Sequence, residues 1–167
     1  MIIIVEGIDR VGKTTLCDKL HNELNIPVYK HIGPFKYNNM DNDSETDQLL
    51  QLLQMCKLQK SFIIFDRFHL TDYVYGIIER NYDIEKANNN FKLLDDFIKD
   101  NFKDAVLLLV LPTDIDKSSE EHGKDLSVHN EELYKLFKES KIENKWRCTY
   151  NTLDEAVSFV RTKIKVV

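Results

Sequence analysis

The chain reads as an α/β domain with a doubly wound, five-stranded parallel sheet flanked by helices. Three observations predict this. Short apolar runs without polar alternation, Ile2–Val5 and Ala105–Leu111 above all, match strands buried on both faces. Amphipathic helical stretches separate such runs, the alternation that builds parallel sheets. Between the first run and the first helix stands a glycine-rich turn, Gly7 to Thr14. Turns of that kind follow the carboxyl ends of strands, where open α/β sheets hold their ligands.

At 167 residues the chain suits one domain, 1–167, with one core. The apolar run Ala105–Leu111 is far too short to span a bilayer. The start carries no basic segment ahead of its first strand, so no signal peptide is read. A net charge of −5 argues against a general nucleic-acid binder. Cys17, Cys56 and Cys148 are far apart and share no metal spacing. Cys17 and Cys56 fall on apolar helix faces, which suits buried thiols in a reducing cytoplasm.

Taken in order, the first strand leads into a helix over 13–24, with Leu16, Leu20 and Leu24 on one face and Cys17 beside them. Asn25 and Pro27 end it. A short strand covers 28–32 and meets the turn signal Gly33-Pro34. A polar loop is expected over 35–46, carrying Lys36 and Tyr37, with Lys30 just before it. Then come a helix over 47–60 (Leu49, Leu52, Leu53, Cys56) and a buried strand over 61–66. Helices over 71–80 and 84–102 follow, the second with Ala87, Phe91, Leu94 and Ile98 aligned. After the strand 104–111, the polar stretch 112–128 is a lid candidate, with Gly123 as hinge. A helix over 130–143 and a strand over 146–150 come next. Thr152 with Glu155 forms a capping box for a last helix bearing Leu153, Val157, Val160 and Ile164.

The chemistry concentrates in two places. Gly7, Gly12, Lys13 and Thr14 complete the phosphate-loop pattern G-x-x-x-x-G-K-[ST]. Its backbone, from Gly7 through Ile8, Asp9, Arg10, Val11 and Gly12 to Thr15, is expected to wrap the phosphates of ATP. Lys13 supplies a cation to the β- and γ-phosphates, and the Thr14 hydroxyl a ligand for Mg²⁺. The second place is Asp66-Arg67-Phe68, at the end of a neighbouring strand. A carboxylate there suits Mg²⁺ or its water shell, and Arg67 suits a second phosphate. Phe68, Tyr73 and Tyr75 are candidates for an aromatic wall beside a base, although aromatics at such spacing also build cores.

These motifs resemble the thymidylate kinase family of nucleoside monophosphate kinases. Glu6-Gly7-Ile8-Asp9-Arg10-Val11-Gly12-Lys13-Thr14-Thr15 is similar to that family's EGxDxxGKTT, and less so to the GNIGxGKST of deoxynucleoside kinases. Asp66-Arg67-Phe68, with Thr71 and Tyr75 following, resembles DRYxxSxxAY. Trp146 sits where the family places its last strand. The resemblance implies the P-loop NTPase, nucleotide kinase-like fold. It implies transfer from ATP, with Mg²⁺, to a deoxynucleoside monophosphate, dTMP foremost. It assigns Asp9 to the acceptor's sugar hydroxyl, Arg10 to the transferring phosphoryl group, Arg67 to the acceptor phosphate and Asp66 to the metal site. Thr71, Tyr75, Phe68 and Lys36 complete the acceptor-side candidates. Arg10, with an arginine-free lid candidate holding Lys117 and Lys124, is similar to the branch whose catalytic arginine lies in the phosphate loop. Departures are present. The segment before Asp66 is compressed, the family's thymine-binding Phe and Arg pair has no counterpart, and Gly76 stands where Gln is usual.

The partners expected are nucleotide substrates; a homodimer is allowed for, and neither membrane nor nucleic acid is expected. Three other readings stand beside this one: a deoxynucleoside kinase acting on thymidine, a non-catalytic nucleotide switch, and a kinase acting on DNA.

Overall fold

The computed structural model describes residues 1–30, 42–113 and 126–164. Five strands form one parallel sheet: β1 (Ile2–Glu6), β2 (Val28–Lys30), β3 (Ile63–Asp66), β4 (Val106–Leu111) and β5 (Asn144–Thr149), in the order β2-β3-β1-β4-β5. Around it lie α1 (Lys13–Leu24), α2 (Asn42–Gln59), α3 (His69–Glu79), α4 (Ile84–Asn101), α5 (Ser127–Glu139) and α6 (Leu153–Lys163), with a 3₁₀ turn at Tyr150–Thr152.

The strand order fixes the layers. Parallel crossovers are right-handed, so the direction of each crossing decides which face its helix covers. The step β1 to β2 runs one way along the sheet; β2 to β3, β3 to β4 and β4 to β5 run the other. Hence α1 covers one face, where α6 packs beside it, and α2 to α5 cover the opposite face. Chain directions diverge after β1 and β3, which opens a crevice at their carboxyl ends. Register puts Val5 beside Asp66, and Asp66 beside Lys30. Every residue of β1 is buried, as a strand covered on both faces requires. The cysteines are free and buried.

Several boundaries differ from the sequence reading, each for a tertiary reason. Helix α2 begins at Asn42, inside the expected loop. There Glu45 and Thr46 are buried, and Glu45 accepts from Tyr82 Oη at 2.9 Å and from Arg80 at 3.3 Å. Helix α3 begins at His69, because a buried carboxylate from β1 caps it. Helix α5 begins at Ser127, within the lid candidate, and stops at Glu139. Its end is set by Asp95, which accepts from Ser140 Oγ and from Lys141 N, both at 2.6 Å, and draws the chain out of the helix. The capping box forms one turn earlier than expected, between Thr149 and Thr152, around the 3₁₀ turn; Thr152 Oγ1 accepts from Thr149 N at 2.9 Å and so is taken. Strand β3 starts at Ile63, leaving Phe62 exposed, and β5 starts at Asn144. Lys36, Tyr37, Gly33-Pro34, Lys117, Gly123 and Lys124 lie outside the described residues.

Candidate active site

The loop between β1 and α1 is shaped by two glycines. Gly7 has φ 148°, and a Cβ there would lie 2.5 Å from the Val110 carbonyl oxygen, so the loop rests directly on the backbone of β4. Gly12 has φ 99°, and its Cβ would lie 2.7 Å from the Tyr150 ring. Arg10, without a glycine's freedom, is also left-handed at φ 64°. Ile8 and Val11 turn their side chains into the core and leave their backbone in the loop. Asp9, Arg10, Thr14 and Thr15 are exposed. The first turn of α1, Lys13-Thr14-Thr15, has no acidic side chain to offset the positive end of the helix dipole.

Lys13 is buried and donates from Nζ to the Ile8 carbonyl. Burial lowers its pKa to about 8, against the pull of Asp66 and Glu6. Thr14 Oγ1 donates to Asp66 Oδ2 at 3.1 Å. Asp66 is buried, and its Oδ1 has no hydrogen-bond partner among the described residues. Asp66 and Thr14 thus present hard oxygen donors side by side, the kind Mg²⁺ takes. Among the described residues no group of three or more His, Cys, Asp or Glu forms a metal cage. Mg²⁺ in phosphoryl-transfer sites characteristically uses one or two protein oxygens together with substrate phosphates and water, so these residues fit it.

Across the crevice, Arg67 is left-handed at φ 72°, and its N–H bonds to the Val5 carbonyl at 2.9 Å. Its guanidinium pairs with Asp9 and lies 5.9 Å from the centre of the Tyr75 ring. A cavity of about 530 Å³ joins the two sides, lined by Asp9, Arg10, Gly12, Lys13, Thr14, Thr15, Lys30, Asp66, Arg67 and Tyr150.

Two expected acceptor residues are not brought there. Phe68 is fully buried, its ring 4.6 Å from that of Phe65, so it is core rather than a wall for a base. Thr71 is buried and spends its hydroxyl on Glu6. Tyr75 is nearly buried, 4.9 Å from His129 between ring centres, and reaches the site through Arg67. Tyr73 bonds Asn88 at 3.0 Å and packs against Phe91. Sequence reasoning missed Tyr150. The signal was its place just past the carboxyl end of β5, on the crevice side of the sheet.

The fold and loop define a parallel α/β domain of the phosphate-loop class. No family model matches the chain, and no curated protein matches it. Solved structures do. The chain is similar to the YorR protein of Bacillus subtilis, solved with phosphorylated GDP, at a TM-score of 0.72 and 22% identity, covering 97% of this chain and 94% of that one. It is similar to thymidylate kinase from Ehrlichia chaffeensis at 0.62 and 17%, covering 99% and 98%. It is also similar to deoxyadenosine kinase from M. mycoides at 0.53 and 14%, covering 98% of each. What these neighbours share with the chain is the fold.

Proposed function

We propose that the protein transfers the γ-phosphoryl group of ATP to a deoxynucleoside monophosphate, with dTMP as the first acceptor to test. The observation that carries this is one cavity lined both by the Lys13–Thr14 loop and by Arg67, which pairs with Asp9; we read these as two separate grips for phosphate. A second cation set apart from the donor loop suits an acceptor that itself carries a phosphate.

In the reaction, an acceptor phosphate oxygen attacks the γ-phosphorus in line, and the bond to the β,γ-bridging oxygen breaks, releasing ADP. Lys13 and the loop N–H groups hold the donor phosphates. Arg67 binds the acceptor phosphate through parallel hydrogen bonds. Asp9 holds Arg67 in the ligand-free site and serves the acceptor sugar. Arg10 spans oxygens of the group in flight, where charge redistribution makes a guanidinium worth most. Thr14 and Asp66 would hold Mg²⁺, which supplies neutralising charge to the phosphates. Tyr150, exposed next to Gly12, offers a ring face on the donor side.

The acceptor base is a separate question. The motif resemblance points to thymine, while the YorR protein was solved with phosphorylated GDP. A panel of dTMP, dGMP, dCMP, dAMP, the ribonucleotides and thymidine, each with ATP and Mg²⁺, tests both the reaction and the base. A diphosphate product from one of the monophosphates is expected. Thymidine outperforming every monophosphate overturns the proposal.

A further inference from the structure

The Glu6 carboxylate is completely buried at the end of β1, one residue before the phosphate loop. Its donors all lie on another element. Oε1 accepts from the N–H of Phe68 at 3.1 Å and of Leu70 at 3.0 Å; Oε2 accepts from the N–H of Thr71 at 3.3 Å and from the Thr71 hydroxyl. These are the open amides at the head of α3. A helix ordinarily has such amides capped by its own preceding residue, Ser, Thr, Asp or Asn. Here that residue is Phe68, which has no capping atom, and the cap arrives from a residue 62 positions away in sequence.

The residue just ahead of this cap is Arg67. Its backbone is left-handed at φ 72°, a conformation a long side chain adopts only when its surroundings enforce it. Enforcement comes from β1 on both sides: Val5 O takes the Arg67 N–H, and Glu6 takes the amides that follow.

We infer that Glu6 is a positioning residue. It holds the turn that turns the Arg67 guanidinium toward Asp9 and the cavity, and so ties the acceptor grip to the strand that carries the donor loop. The inference rests on the reading of Arg67 as the acceptor-phosphate ligand.

Glu6→Gln tests it. The amide keeps the volume but replaces one acceptor oxygen with an NH₂ that faces the Thr71 N–H. Acceptor KM should rise about tenfold, the factor one charge-assisted hydrogen bond carries. The directly measured ATP Kd should change less than about twofold, because the donor loop keeps its own contacts. In an Arg67→Ala background the same substitution should add almost nothing to acceptor KM. A full additional tenfold loss there, or equal losses for ATP and acceptor, overturns the inference. Thr71→Val removes one donor and leaves the carboxylate; it should show a smaller loss with the same non-additivity, and serves if Glu6→Gln does not fold. Amide hydrogen exchange supplies a readout without turnover. Protection at Phe68, Leu70 and Thr71 should drop in Glu6→Gln, and unchanged protection also overturns the inference. If the wild type phosphorylates no acceptor, the functional reading falls, while the exchange result still decides whether Glu6 holds the turn.

Discussion

Two buried carboxylates stand at adjacent strand ends in the middle of the sheet, and they are used in opposite ways. Glu6, closing β1, is filled: four donors from α3 and its approach converge on it. Asp66, closing β3, is half empty: Thr14 occupies Oδ2, and Oδ1 has no hydrogen-bond partner among the described residues. Residue type and burial are nearly the same; the supply of donors differs. A buried acceptor left without a partner costs about 1–3 kcal/mol, which a fold sustains where a ligand completes the set. The filled carboxylate holds a helix head in place, and the half-empty one keeps an acceptor open toward the cavity.

Substitutions on each side can break or sharpen that contrast. The largest effect is expected from Arg10→Lys, on the open side. It keeps the charge but loses the planar fork, and kcat should fall about 10³-fold, as for an arginine finger, with both dissociation constants little changed. Single-turnover rates measured beside equilibrium binding decide it; an unchanged rate moves the catalytic cation elsewhere, with Lys30 next to test.

Asp66→Asn should lower turnover about 10²-fold at fixed Mg²⁺ and weaken the dependence on Mg²⁺ concentration. Glu6→Ala should weigh chiefly on stability, beside its effect on acceptor KM, stranding four donors at a cost of about 3 kcal/mol in denaturant unfolding, several times the shift from Asp66→Asn. Equal stability losses would erase the distinction between the two ends.

A pH series tests the neighbour they share. The Lys13 pKa is lowered to about 8, first by burial, with Asp66 and Glu6 opposing. The protonated form binds phosphate, so raising the pH through about 8 removes the charge from the free enzyme. Apparent ATP affinity should therefore hold below that pH and fall up to about tenfold per pH unit above it. A flat profile to pH 10 would mean that Lys13 stays charged throughout. The smallest effect is expected from Tyr150→Ala, which should raise ATP KM several-fold, about the worth of one ring stacked on a base. Equal changes with ATP and inorganic tripolyphosphate as donors would show that the ring does not meet the base.

Much of this architecture was legible in the sequence. Apolar runs located β1 and β4, the glycine spacing located the loop, and the alternation of elements gave five parallel strands. The loop motif also drew attention to Lys13, Thr14, Asp66 and Arg67, which the fold does bring to one cavity. What escaped depended on partners distant in the chain. Phe68 is a candidate in the sequence both for a wall beside a base and for the core, and the tie of its N–H to Glu6 goes with the second. Thr71 sits where a ligand contact was expected, but its hydroxyl was already claimed. The end of α5 is set by Asp95, 45 residues from Ser140, and no local propensity carries that information. Tyr150 lacked any motif and became visible only when strand order placed it beside Gly12.

The long-range cap on α3 also bears on how the chain acquires its shape. A helix head without a cap of its own is slow to nucleate, since the first turn fixes several residues for a single bond. Glu6 reaches those amides only after β1 and β3 have paired. The expected outcome is that the head of α3 consolidates in the same cooperative step as the central strands, so that conservative core substitutions in β1 and in the first turn of α3 report similar φ-values. A partly opened molecule in which β1 and β3 have separated therefore loses the turn that carries Arg67 together with the strand pairing beside it.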